Sequence, residues 1–288
     1  MTDGTDFNLE RLGCWGAQDT FVVERERTIA YAEATNDPIR AHREGRYAPP
    51  VFAVVPVMVM MADAAMCVVP DDLMLRILHG EHDFRFRRPI EPGETLSVRA
   101  RPVALEGKSS GVVVTSQIET RSVSNGDLVN EQYFTGFFRG GQFDGALGEA
   151  AAAHGFDETL RAQDPVCTVT QRFDADQTFR YAGPAGDPMP IHLDDDFAKS
   201  TGLPGIIMHG LCTIAFTSHA LITEFSPADP TRLERLAVRL ASPAFPGRQV
   251  TTSVWSAGAR DGRDVYAFET EADNGKFVIR DGLAEFAS

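Results

Sequence analysis

The chain has 288 residues, about twice the commonest domain size, with 43% hydrophobic and 24% charged residues, which excludes a disordered chain and leaves two domains or one duplicated fold. Its 27 Lys and Arg against 41 Asp and Glu give a net charge of −14, which repels a phosphate backbone and argues against nucleic acid as a partner. Cys14, Cys67, Cys167 and Cys212 lie far apart with no C-x-x-C spacing, so neither a disulfide framework nor a zinc site is expected, and the reading is a reducing cytoplasm.

The acidic opening, Met1-Thr-Asp-Gly-Thr-Asp, lacks the basic and apolar regions of a signal peptide. The apolar stretch from Ala48 to Pro70 is interrupted by Pro49, Pro50 and Pro56 and holds Asp63, so it predicts a buried helix over about Val51 to Val68 and no membrane partner. Val54, Val55, Met58, Met61, Ala62 and Ala65 make that helix apolar nearly all round, the mark of burial on every side. Arg85, Arg87 and Arg88 read as a solvated strand face, with contact to a phosphorylated carrier as the alternative. Strands follow where Leu96, Val98 and Ala100 alternate with Thr95, Ser97 and Arg99, and where Gly111 to Glu119 is β-rich. Asn125-Gly126 suits the positive φ angles of a type I′ hairpin. Gly140 to about Pro165 reads as an exposed connector, with a short helix over Glu149 to Ala153. A second helix is expected from about Gly210 to Glu224, then a strand over Val265 to Glu271 and another hairpin at Asn274-Gly275.

These elements repeat. Tyr31, Asp37, Pro38 and His42 recur as Tyr181, Asp187, Pro188 and His192, all at an offset of 150. Phe84-Arg-Phe, Pro89 and Pro92-Gly93 recur as Val238-Arg-Leu, Pro243 and Pro246-Gly247, and Asn125-Gly126 as Asn274-Gly275. Two copies of one unit, each a long helix wrapped by antiparallel strands and joined sheet edge to sheet edge, make an α+β layout.

The second copy carries the chemistry. Asp187 and His192 stand five residues apart in a loop stiffened by Pro188 and Pro190, and Gly210 follows 18 residues after the histidine at a helix start. An unpaired NH there lies at the positive end of the helix dipole, where an oxyanion would be stabilised. The first copy has no glycine between Arg46 and His79 to open its helix, so Asp37 and His42 read as a structural relic.

The run Gly186-Asp-Pro-Met-Pro-Ile-His192, then Phe197-Ala198, then Ile206-Ile-Met-His-Gly210 resembles the hydratase 2 motif of the MaoC-like, (R)-specific enoyl-CoA hydratases. The first copy, including Tyr47-Ala-Pro-Pro-Val-Phe52, resembles the non-catalytic half of the two-hot-dog members. Met189 replaces the family's Asn, and Ile206 replaces a Pro. The resemblance implies a double hot-dog: a non-catalytic, acyl-binding unit over 1–140, a linker over 141–166 and a catalytic unit over 167–288. It implies Asp187 and His192 as the catalytic pair and the Gly210 NH as oxyanion donor. Met189 and His209 would adjoin the substrate, and Met58 and Met61 would line an acyl tunnel unless that methionine stripe is plain core. The implied partner is an acyl-CoA thioester, with water added across a trans-2-enoyl group and no metal or redox cofactor required, and a homodimer of such chains is compatible with it. An acyl-thioester binding subunit and a hot-dog thioesterase are the rival readings.

Overall fold

Among the residues described by the computed structural model, 7–288, eleven strands form one antiparallel sheet; the acidic opening over 1–6 lies outside the described residues. The first repeat supplies β1 (Asp19–Val22), β2 (Ile77–Phe86), β3 (Thr95–Lys108), β4 (Gly111–Ser122) and β5 (Leu128–Arg139), followed by the short β6 (Ala146–Gly148). The second supplies β7 (Cys167–Arg172), β8 (Leu233–Leu240), β9 (Gln249–Arg260), β10 (Arg263–Ala272) and β11 (Phe277–Ala287). The order β1-β3-β4-β5-β2-β8-β11-β10-β9-β7 reads the same from either end once each strand is matched to its repeat partner, with β6 paired to β3 outside that path. This is the expected α+β double hot-dog, its halves joined where β2 pairs β8. Along β3 the buried Leu96, Val98 and Ala100 alternate with half-exposed Ser97, Arg99 and Arg101, so one face meets the core.

The helices are α1 (Arg25–Ala34), α2 (Arg40–Arg43), α3 (Met58–Met66), α4 (Asp71–Met74), α5 (Glu158–Arg161), α6 (Gln177–Ala185), α7 (Asp195–Ser200) and α8 (Gly210–Phe225). α8 matches its expected span to within one residue, and 12 of its 16 residues are buried. The first repeat's helix departs from expectation. Pro50–Val57 is a 3₁₀ helix, and only the nine residues of α3 are α-helical. Pro56 offers no NH and its ring obstructs the carbonyl four residues back, so the chain takes the tighter turn. Nor is the helix buried on every side, because Val59 is 73% exposed. At about 1.5 Å per residue, α8 runs about 24 Å and α3 about 13 Å.

Two local expectations are corrected. At Asn125-Gly126 and Asn274-Gly275 only the glycines have positive φ, both +77°. The asparagine side chains instead accept the NH of Asp127 and of Lys276, each at 3.1 Å, which makes these Asx turns. The two-residue type I′ geometry occurs at Asp261-Gly262, where φ is +52° and +74°. Residues 149–153 form no helix: Glu149 N donates to Val103 O and Ala152 O accepts from Arg235, and these outer-face bonds outweigh the weak helicity of so short a run.

The repeats meet at their tyrosines. Tyr31 on α1 and Tyr181 on α6 are fully buried with hydroxyls 3.2 Å apart, so the 150-residue offset appears as a contact across a pseudo-dyad.

Candidate active site

The loop that carries Asp187 starts where α6 ends. Gly186 caps the helix in the left-handed region at φ +74°, a conformation that Asn36 adopts 150 residues earlier at φ +51°. Pro188 and Pro190 then lead into a 3₁₀ turn, Pro190–His192, that carries the histidine inward. His192 is 7% exposed and its Nδ1 donates to Ile207 O at 2.8 Å, so Nε2 carries the free lone pair. Asp187 is half-buried, with Oδ1 accepting the Met189 NH at 3.3 Å. His209, at the N-cap of α8, donates Nε2–H to the Asp187 backbone carbonyl at 3.0 Å and stacks on His192 with ring centroids 3.9 Å apart.

Asp187, His192 and His209 bring one donor atom each within 4.8 Å of one another. Burial pushes His192 below the usual imidazole range, and burial with His192 alongside pushes His209 down to about 3. Both rings are therefore neutral at pH 7, and the hydrogen bonds fix their protons on the outward nitrogens. His209 Nδ1 is buried without a hydrogen-bond partner among the described residues. A carboxylate and two imidazole lone pairs make a pocket of acceptors, which calls for a molecule that brings protons, such as water. A metal ion suits it poorly, because stacked rings inclined by 29° cannot both hold one ion in their planes.

Gly210 opens α8, so its NH has no intrahelical acceptor. The first repeat shows what replaces it. Met208 N donates to Ala244 O and Ala48 N donates to Ile90 O, both at 2.9 Å, which aligns His209 with Pro49 and Gly210 with Pro50. The backbones agree, with φ/ψ of −59°/129° at His209 and −54°/143° at Pro49. Proline suits the first helical position but offers no NH. Asp37 and His42 are also closed off: His42 Nδ1 lies 2.7 Å from Asp37 Oδ2, with both side chains 2% exposed.

A cleft of about 650 Å³ reaches Ala185 and Gly186 from the first repeat, walled by Phe21, Val55, Pro56, Met58 and Met60. It lies beside the shortened α3. The position equivalent to Pro56 in the second repeat is Phe216, a buried ring that packs on Phe173 at 4.8 Å. Of the residues expected from sequence, Asp187, His192 and His209 converge, Gly210 follows His209 at the start of α8, and Met58 lines the cleft. Met189 is 53% exposed and is not among the residues that wall the cleft, and Met61 is in the core at 5%. Arg85 and Arg88 are engaged by Asp83 and Glu94, and Arg87 is exposed. Met60, of the same methionine stripe, also lines the cleft; sequence reading missed the Ile207 carbonyl that orients His192 and Arg27 on the cleft wall.

Comparison with known proteins places the chain. The MFE-2 hydratase 2 N-terminal domain family matches residues 41–140 and the MaoC like domain family residues 152–275. The 3-hydroxyacyl-thioester dehydratase Y of Mycobacterium tuberculosis is 31% identical over 219 residues, covering 74% of this chain and 73% of that protein. The chain belongs to the MaoC-like hydratase 2 family. Its relatives include the peroxisomal multifunctional enzyme type 2 of Drosophila melanogaster, 25% identical over 285 residues, or 94% of this chain. The chain spans about half of that longer protein, 47% of its length. The MaoC-like dehydratase from Phytophthora capsici shares the fold with a TM-score of 0.85 at 23% identity, over 98% of this chain and 99% of that one. Among the described residues no helix is long and apolar enough to cross a membrane.

Proposed function

We propose that this MaoC-like protein interconverts trans-2-enoyl and (R)-3-hydroxyacyl thioesters, with Asp187 and His192 holding the reacting water and the Gly210 NH receiving charge from the thioester oxygen. The observation that carries this reading is the meeting of the Asp187 carboxylate with two neutral imidazoles at the start of α8, with Gly186 of the same loop on the wall of the cleft. The names of its relatives, hydratases and dehydratases of acyl thioesters, support the same chemistry, and the likeness of the second-repeat motif to (R)-specific members supports the hand.

In the hydration direction the acyl group lies in the cleft beside Met58 and Met60 and the carbonyl points at Gly210. The pair removes a proton from water as its oxygen bonds C3, negative charge moves to the carbonyl oxygen, and a proton is returned at C2. Conjugate addition needs those three functions. The first repeat, with Pro50 and a sealed Asp37–His42 pair, serves as the acyl-binding half.

Crotonyl-CoA tests the reading. Loss of enoyl absorbance without release of free thiol is expected. Thiol release would make the protein a thioesterase, and binding without either change would make it a thioester-binding subunit.

A further inference from the structure

Residues 27 and 177 occupy the same place in the two repeats, four residues before the paired tyrosines. Each crosses the pseudo-dyad to the same carbonyl of the opposite helix: Arg27 Nε donates to Pro184 O at 2.9 Å, and Gln177 Nε2 donates to Ala34 O at 2.5 Å. The helix contact therefore needs only an amide. Gln177 is fully buried and its side-chain oxygen is used by protein donors, including the Asp174 NH. Arg27 is half-buried and keeps four N–H donors after its bond to Pro184.

Those spare donors lie where the cleft meets the reacting loop. Arg27 lines the cleft, and a Cβ placed on Gly186 would sit 3.1 Å from its terminal nitrogen, so the guanidinium rests against the residue before Asp187. It also lies over the Phe21 ring at 5.3 Å. Among the described residues no carboxylate lies within ion-pair distance of it; Asp19 and Asp63 line the same cleft without reaching it. A guanidinium in a mostly apolar cleft favours an anionic partner, and its planar fork matches a carboxylate in two parallel hydrogen bonds.

We propose that Arg27 is a specificity residue that binds a carboxylate on the acyl group, so the preferred substrates are enoyl thioesters of short dicarboxylic acids. The carrier's phosphates are a full pantetheine arm away from the reacting carbons, whereas Arg27 rests against Gly186, the residue before Asp187. This rests on the hydratase reading and adds the substrate class to it.

Trans-2-hexenedioyl-CoA and trans-2-hexenoyl-CoA share a chain length and differ in the terminal carboxylate. The wild-type protein should show the higher kcat/KM on the dicarboxylic substrate. Arg27→Gln, which keeps the bond to Pro184 in the manner of Gln177, should lower that value by about 10- to 100-fold, mostly through KM, the size of a lost charged hydrogen bond. Its kcat/KM on hexenoyl-CoA should stay within about threefold, and Arg27→Lys should fall between Gln and wild type on the dicarboxylic substrate. Equal losses on both substrates would make Arg27 a support of the loop, and no loss on either would overturn the proposal. Wild-type turnover of hexenoyl-CoA without preference for the dicarboxylic substrate would overturn it alone, whereas turnover of neither would overturn the hydratase reading beneath it.

Discussion

Replacing Gly210 with proline would give the second repeat the residue that the first already has at this place. The first helical position tolerates the missing NH, and the residue before it must be extended, as His209 is with ψ of 129°. The obstacle is steric: a Cβ at Gly210 would lie 2.6 Å from Leu240 Cδ1. The comparison is therefore made in a Leu240→Ala background, which removes that methyl at a stability cost of about 2 kcal/mol for a half-buried leucine. There Gly210→Ala adds the Cβ and keeps the NH, whereas Gly210→Pro adds similar bulk and removes it. Removing one oxyanion donor costs about 10²- to 10³-fold in kcat, or about 2.7–4 kcal/mol. Initial rates from enoyl absorbance should show the alanine variant within a few-fold of its background and the proline variant lower by that factor, with KM moving less. Circular dichroism checks that both remain folded. Equal kcat in the two folded variants would show that the NH does not receive the developing charge.

Asp187→Asn and His192→Ala should each lower kcat by at least ~10²-fold, and the double variant should be barely worse than the worse single one, because the pair acts on one water; multiplying losses would separate the two roles. Asp37→Ala and His42→Ala should leave most turnover intact while costing about 1–3 kcal/mol in urea unfolding, since either leaves a buried polar partner alone; a kcat loss matching that of the second pair would reveal a live second site. His82 and His209 are buried and held neutral, with values pushed well below the usual 6.5. The unfolded chain binds protons there that the folded chain refuses, so stability is full above pH 6.5 and falls by about 1.4 kcal/mol per histidine per pH unit below it. Unfolding should therefore take up protons at pH 5.5, and calorimetry in buffers of different ionisation enthalpy that found no uptake would refute the neutral assignment.

Much of this arrangement is legible in the residues because short-range chemistry fixes it. Gly210 marks the start of α8, Asp187 and His192 are locked by neighbouring prolines, and the offset of 150 appears as Tyr31 touching Tyr181. The lack of a glycine is read from the sequence as the mark of an inert first repeat, but what stands in its place is hidden. The histidine-to-helix interval is ten residues shorter there, and α7 lies in the longer interval of the second repeat, so only the matched bonds to Ile90 and Ala244 align Pro50 with Gly210. Pro56 was visible too, yet a run of Val and Met around it suggested a continuous helix, and the cleft its break leaves is a tertiary consequence. Turn type escaped for a similar reason, because an Asn side chain competes with its own backbone for the same NH. Arg27 has no local signal at all; its meaning depends on Gly186, 159 residues away in the chain.

The seam between β2 and β8 has a consequence for how such a chain could be divided. Glu81 stands opposite Arg239, and Asp83 accepts from both Arg85 and Arg235. If β8 paired with a second β8 about Ala237, Arg235 would face Arg239 twice; if β2 paired with a second β2 about Asp83, two buried carboxylates would meet. Like charges directly opposite weaken a strand pair. The halves have therefore become a lock and its key. Cut at the connector and produced as two polypeptides, they should seek each other rather than their own kind, and an assembly of two second repeats, which would hold two copies of the proposed site, is disfavoured by the charges at its own seam.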